Sequence, residues 1–207
     1  MSTDILLTGF VPFDGAASNE SWEAVQVAVP LLRAEGISVE VRELPVEFHR
    51  AGPLLAEAVR ELRPKVVIAV GLASGRTRIM PERTAVNVRD TRIPDNAGVS
   101  PVDEPVVAGG PVGYFSSLPI KAMVAAAEDA PAAVSQTAGT YVCNDVFYSL
   151  QHLLATDADL AGTRGGFVHV PSDEVIDVGT TGRELARMAL AALRTEVDAA
   201  VSGGAEH

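Results

Sequence analysis

The sequence predicts an α/β protein: a three-layer α/β/α sandwich around a mostly parallel, twisted sheet. Three observations lead there. Short apolar runs alternate with amphipathic helical periods along the whole chain. One run, Val66-Val67-Ile68-Ala69-Val70, is continuous, β-branched and short, as a strand covered on both faces should be. Apolar residues make up 47% of the 207, enough for a substantial core in one domain.

Each element has its own signal. Ile5-Leu6-Leu7 is a buried strand that ends at Gly9. Asn19 caps a helix with Trp22, Val25, Val29 and Leu32 on one face, and Gly36 ends it. Residues 37–44 alternate like a strand with one wetter face. Leu55, Val59 and Leu62 mark a second helix, stopped by Pro64. Residues 119–129 read as a helix and 132–135 as a short strand. Residues 143–155 are a helix with Val146, Leu150, Leu153 and Leu154 inward. Residues 167–170 are another strand, and 183–201 a long closing helix. Strand and helix in alternation give parallel strands with helices on both faces. No repeat or linker divides residues 1–207, which read as a single domain whose last residues, 202–207, form a frayed tail.

Two stretches break the rhythm. Residues 9–15 follow the first strand, and residues 74–118 are rich in Arg, Pro, Gly and Asp. Loops at the carboxyl ends of parallel strands build the site in open α/β sheets. The longer stretch carries Met80, Val86, Val88, Ile93, Tyr114 and Phe115, which favour an ordered, functional loop over disorder.

Charge narrows the function. Twenty-seven acidic and 16 basic residues give a net charge of −11, which argues against nucleic acid as a partner. Arg76, Arg78, Arg83, Arg89 and Arg92 cluster, and pairing with nearby acids is the simplest reading of them. The start, Met-Ser-Thr-Asp, has neither the cationic nor the apolar part of a signal peptide. The longest apolar run is far too short to cross a bilayer. One cysteine suits a reducing compartment, so a soluble cytoplasmic protein without membrane partners is expected.

That cysteine, Cys143, lies in Ala-Gly-Thr-Tyr-Val-Cys-Asn-Asp, where a small-residue turn runs into a helix. A lone cysteine is either a small buried hydrophobe or a reactive thiol. Amide N–H groups and the positive end of a helix favour the thiolate. Of the four histidines, His207 is terminal. His152 lies nine residues along the same helix, about 13 Å away. His49 opens the second helix. His169 sits at a strand end, where parallel-sheet enzymes place catalytic groups, and is the preferred base. Glu82, in a proline turn, is the acid chosen to orient it, with Asp90 and Asp95 as rivals on spacing alone. Phe10 and Phe13 bracket Pro12 as a possible apolar pocket wall, to which Tyr141 could add a ring. No Walker loop, dinucleotide fingerprint or metal-spaced His/Asp cluster is present.

Taken together these motifs resemble pyroglutamyl peptidase I, the pyrrolidone-carboxylate peptidase family of cysteine peptidases. The matching blocks span nearly the whole chain: Leu7-Thr8-Gly9-Phe10 with Pro12-Phe13, Asn19 with Ser21-Trp22-Glu23-Ala24, Gly71-Leu72-Ala73 with Gly75-Arg76, Pro81-Glu82-Arg83, Arg92-Ile93-Pro94-Asp95-Asn96, Tyr114-Phe115-Ser116, Ala138-Gly139-Thr140 with Cys143-Asn144, and His169 with Pro171. The resemblance implies a Glu-Cys-His catalytic set at Glu82, Cys143 and His169. It implies a lactam pocket lined by Phe10, Phe13 and Tyr141, with Arg92 at the entrance or oxyanion region. It also implies N-pyroglutamyl peptides as substrates, no cofactor or metal, and a homodimer or homotetramer. The sequence departs from the family at Asp145, where His is frequent, at Asp14, where glycine is common, at Tyr141, where phenylalanine is common, and across Pro171-Ser172-Asp173-Glu174. Asp145, a second acid near the thiol, leaves a catalytically weak lactam-binding homologue as the alternative. A nucleoside-phosphorylase-like enzyme, resting on the arginine cluster alone, is a further rival.

Overall fold

A computed structural model describes residues 3–205; His207 lies outside them. Apolar runs become strands and amphipathic periods become helices in the order β1 (Ile5–Phe10), α1 (Glu20–Ala34), β2 (Val39–Leu44), α2 (Ala51–Leu62), β3 (Val66–Leu72), β4 (Met80–Pro81), β5 (Thr84–Val86), β6 (Gly113–Phe115), α3 (Ile120–Ala125), α4 (Val142–Thr156), β7 (Arg164–Val170) and α5 (Val178–Arg194). The main sheet has the strand order β2-β1-β3-β7-β4. Its first four strands are parallel, and the short edge strand β4 runs antiparallel to β7. β5 and β6 form a separate two-stranded ribbon. Pro81 in β4 suits an edge, where its missing N–H breaks no ladder.

The alternation within β3 explains the layers. Val66, Ile68 and Val70 face the core packed by α1, α3 and α5, while Val67 and Ala69 face the core of α2 and α4. The chain leaves β1 for β2 on one side and later returns to β3 on the other. The carboxyl ends of β1 and β3 therefore flank a topological switch point, where open α/β sheets bind their ligands.

Several boundaries differ from the sequence expectation. Residues 132–135 form no strand; Ala132 and Ser135 make only isolated bridges to Ile79 and Glu82. The helix expected over 119–129 is confined to Ile120–Ala125, and the closing helix starts earlier and stops sooner than 183–201. Asp177 caps it by accepting from the Thr180 N–H, and Thr181 and Gly182 are buried in its first turns. Asp198 lies beyond that helix and accepts from the Lys121 and Ala122 amides at the start of α3. The tail read as frayed is tied at one point, where the Gly203 carbonyl accepts from Arg83 and Gln136.

Asn19 is the N-cap of α1, and its side chain does two jobs. Oδ1 accepts from the Ser21 N–H at 3.1 Å, and Nδ2 donates to the Val11 carbonyl at 3.0 Å. It thereby ties the start of the helix to the loop that carries Phe13. Asn19→Ala should lower stability by about 1–2 kcal/mol, as loss of a cap does. Urea denaturation monitored at Trp22 checks this, and an unchanged midpoint would remove the cap from the account.

Candidate active site

Two strand ends and one helix start converge on a cleft of about 450 Å³. β1 delivers Phe10, β3 delivers Leu72, and α4 delivers Val142 and Cys143. Phe13, Val46, Ile93 and Tyr141 complete an apolar wall, while among the described residues Arg76 is the sole charged group on the lining and no carboxylate reaches it. The Tyr141 ring packs 5.5 Å from Phe13 and 5.3 Å from Phe48, and its hydroxyl donates to the Pro94 carbonyl at 3.0 Å. Phe10, Phe13 and Tyr141 therefore share one cavity. Asp14 has a φ of +52°, a left-handed conformation that glycine adopts more easily.

Cys143 is the second residue of α4, among the first-turn amides that have no partner within the helix. Its sulfur fits because residue 71 is glycine. A Cβ on Gly71 would stand 2.9 Å from Cys143 Sγ and 2.7 Å from the Phe167 ring. Gly71 is also the register partner of His169 across β3 and β7. Partners in a parallel pair project to the same face about 4.8 Å apart. The thiol thus occupies the vacant slot in the row beside the imidazole.

His169 is almost fully buried, its ring 4.9 Å from that of Phe167. Nδ1–H donates to Glu82 Oε1 at 2.6 Å, which leaves Nε2 without a proton. Glu82 has no exposed surface, and the same Oε1 meets Arg76 Nη2 at 3.0 Å. Its backbone N–H donates to the Phe167 carbonyl at 2.8 Å, so the acid is fixed to the strand that carries the base. Oε2 has no hydrogen-bond partner among the described residues. The rivals for this role lie elsewhere. Asp90 is exposed, and Asp95 accepts from the amides of Phe48, Ala97 and Val99.

Electrostatics correct one expectation. Burial pushes the Cys143 thiol up to about 12; the Glu82 carboxylate adds to this, and Arg76 and the backbone amide oppose it. The helix terminus therefore does not keep a resting thiolate. Burial also lowers His169, against the opposing pull of Glu82, so the ring is neutral near pH 7. Asp145 is not among the groups acting on the thiol. Two residues along a helix means the opposite face, and there Asp145 Oδ1 accepts from Arg89 Nε at 2.5 Å.

The other sequence candidates lie apart. Arg92 is exposed on an adjoining cleft with Asp90, Thr91 and Thr140 and does not line the cleft that contains Cys143. His49 has a φ of +60° and lies 3.8 Å from Glu104. His152 Nδ1 pairs with the Tyr114 hydroxyl at 2.9 Å. Sequence reasoning missed Arg76 and Gly71. A glycine closing an otherwise β-branched run was the available signal for Gly71, since it marks a close approach. Arg76 looked like one of five equivalent arginines.

Two outcomes follow from this geometry. With a thiol held near 12, the rate of iodoacetamide alkylation should climb about tenfold per pH unit from 7 to 9, because only the thiolate reacts. A plateau near neutrality would instead reveal a preformed ion pair. Gly71→Ala should lose about 1–3 kcal/mol of stability to overpacking and slow alkylation as the sulfur is displaced. Calorimetry and a timed thiol assay check both, and an unchanged variant would refute the slot.

The pyroglutamyl peptidase family model matches residues 3–204. The pyrrolidone-carboxylate peptidase of Clavibacter michiganensis is 54% identical over 178 residues, 85% of this chain and 82% of that protein. Its counterpart in Klebsiella pneumoniae is 49% identical and covers 98% of this chain and 99% of its own. The crystal structure of pyroglutamyl peptidase I from Bacillus amyloliquefaciens superposes with a TM-score of 0.89 at 38% identity, covering 98% of this chain and all of that one. The pyrrolidone carboxyl peptidase of Thermococcus litoralis gives 0.81 at 32% identity over 92% of this chain and 93% of its own. This chain belongs to the pyroglutamyl peptidase family.

Proposed function

We propose that this protein is a cysteine exopeptidase that removes an N-terminal pyroglutamyl residue from peptides through a thioester acyl-enzyme. The observation that carries this reading is a thiol at the wall of an apolar cleft whose lining holds no carboxylate among the described residues. An ordinary amino terminus is a cation and calls for an acidic partner. The pyroglutamyl ring has no charged amine, so an apolar slot with backbone hydrogen bonds suits it, and a buried carboxylate would be a liability.

The reaction runs from a neutral pair. As Cys143 Sγ bonds to the pyroglutamyl carbonyl carbon, its proton passes to His169 Nε2. Glu82 stabilises the imidazolium and keeps the ring in the required tautomer. First-turn amides of α4, that of Cys143 included, face the developing oxyanion, an interaction worth about 3–4 kcal/mol per donor. His169 then protonates the leaving amine, the C–N bond breaks, and the thioester forms. Water activated by His169 cleaves the thioester, releases pyroglutamate and returns the thiol. Arg76 shares Glu82 Oε1 with His169 and so limits how strongly Glu82 binds the imidazolium proton. Arg92, exposed on the neighbouring cleft, faces the side open to the leaving peptide. A cytoplasmic setting and assembly as a dimer or tetramer belong to the same reading.

Hydrolysis of a fluorogenic pyroglutamyl amide tests the roles. Cys143→Ala should abolish turnover, and His169→Ala should cost about 10³-fold or more in kcat with the fold intact. Glu82→Gln should cost less, about 10²-fold, since the histidine remains. Wild-type rates in either of the first two variants would end the scheme, and in the third would remove Glu82 from it.

A further inference from the structure

The segment that forms the outer wall of the cleft has little secondary structure, yet it is fastened to the first turn of α4 at successive points. Asn144 Oδ1 accepts from the Val86 N–H, and its Nδ2 donates to the carbonyls of Val86 and Val88. Arg89 follows. Its Nε donates to Asp145 Oδ1 at 2.5 Å and its Nη1 to the Pro105 carbonyl at 3.1 Å, while its backbone pairs with Glu104. Asp90 and Thr140 exchange two bonds, at 3.2 and 2.6 Å. Ile93 and the Pro94 carbonyl come next; the first lines the cleft and the second holds Tyr141. Arg89 and Asp145 are both buried, and theirs is a charged pair within this chain of fastenings.

We propose that the Arg89–Asp145 pair is a positioning device for substrate affinity: it sets the wall carrying Ile93 and Pro94 against Cys143 without touching substrate. This rests on the pyroglutamyl reading above and adds to it the residues that fix the pocket's width. Asp145 is two residues from the nucleophile but on the far side of the helix, so it senses the same turn and faces the loop. The guanidinium reaches a side chain and a carbonyl from two separate nitrogens held in one plane, whereas an ammonium offers a single nitrogen on a flexible stem. Oδ2 of Asp145 has no hydrogen-bond partner among the described residues, so Arg89 is the main group offsetting this buried carboxylate. The titratable groups facing the pair include His49, on the segment before α2, and Glu104, which lie 3.8 Å from each other.

Arg89→Lys keeps the buried charge and loses the fork, and Asp145→Asn with Arg89→Gln removes both charges together. In either form KM for a pyroglutamyl amide should rise about tenfold, the scale of one lost charge-assisted hydrogen bond. kcat per titrated thiol, its pH profile and the alkylation rate of Cys143 should stay within twofold. Amide exchange should accelerate across residues 89–99 and not across α4. A fall in kcat with KM unmoved, or no change in KM, would overturn the positioning role. The exchange measurement stands apart from turnover: unchanged protection of residues 89–99 also overturns it, whereas a wild-type enzyme inert toward the amide would count against the proposed activity alone.

Discussion

The site depends on one buried carboxylate. Glu82 has no contact with water, and its charge is tolerable only because Arg76 and His169 converge on the same oxygen. That requirement shapes the surrounding chain. β4 must lie antiparallel along β7, with Met80 opposite His169, so that the acid after Pro81 bonds the Phe167 backbone and reaches the histidine on the same face. The loop after β3 must turn back to bring Arg76 over it. Ser135 must bridge to the backbone of Glu82 from its other side. A fold that dropped any of these would leave an uncompensated charge in its interior.

The same burial sets the chemistry. Removal of water raises the thiol and lowers the imidazole, so two groups that would attract as ions rest as neutral neighbours. Arginine at position 76 works against the thiol's shift and against the histidine's proton affinity.

Much of this was legible in the sequence, for local reasons. Asn19 before an amphipathic period, a β-branched run and a cysteine after a small-residue turn are signals contained within a few residues. What sequence hid was set by distant packing. The start of α5, Val-Gly-Thr-Thr-Gly, has poor helix propensity and folds as helix because Thr181 and Gly182 are buried and Asp177 caps it. Arg76 could not be told from its four neighbours until Glu82 was placed beside it. Arg92 was expected at the entrance or the oxyanion region, and it lies on the cleft adjoining the one that contains Cys143. Asp145 looked like a threat to the nucleophile because it is close in sequence, while helical geometry turns it away.

The vacant side-chain position at Gly71 has a consequence for durability. Peroxide and related oxidants attack the sulfur anion, not the protonated form. A sulfur set beside an aromatic ring in the place of a missing side chain, its thiol pushed up by burial, offers such reagents less of the form they attack.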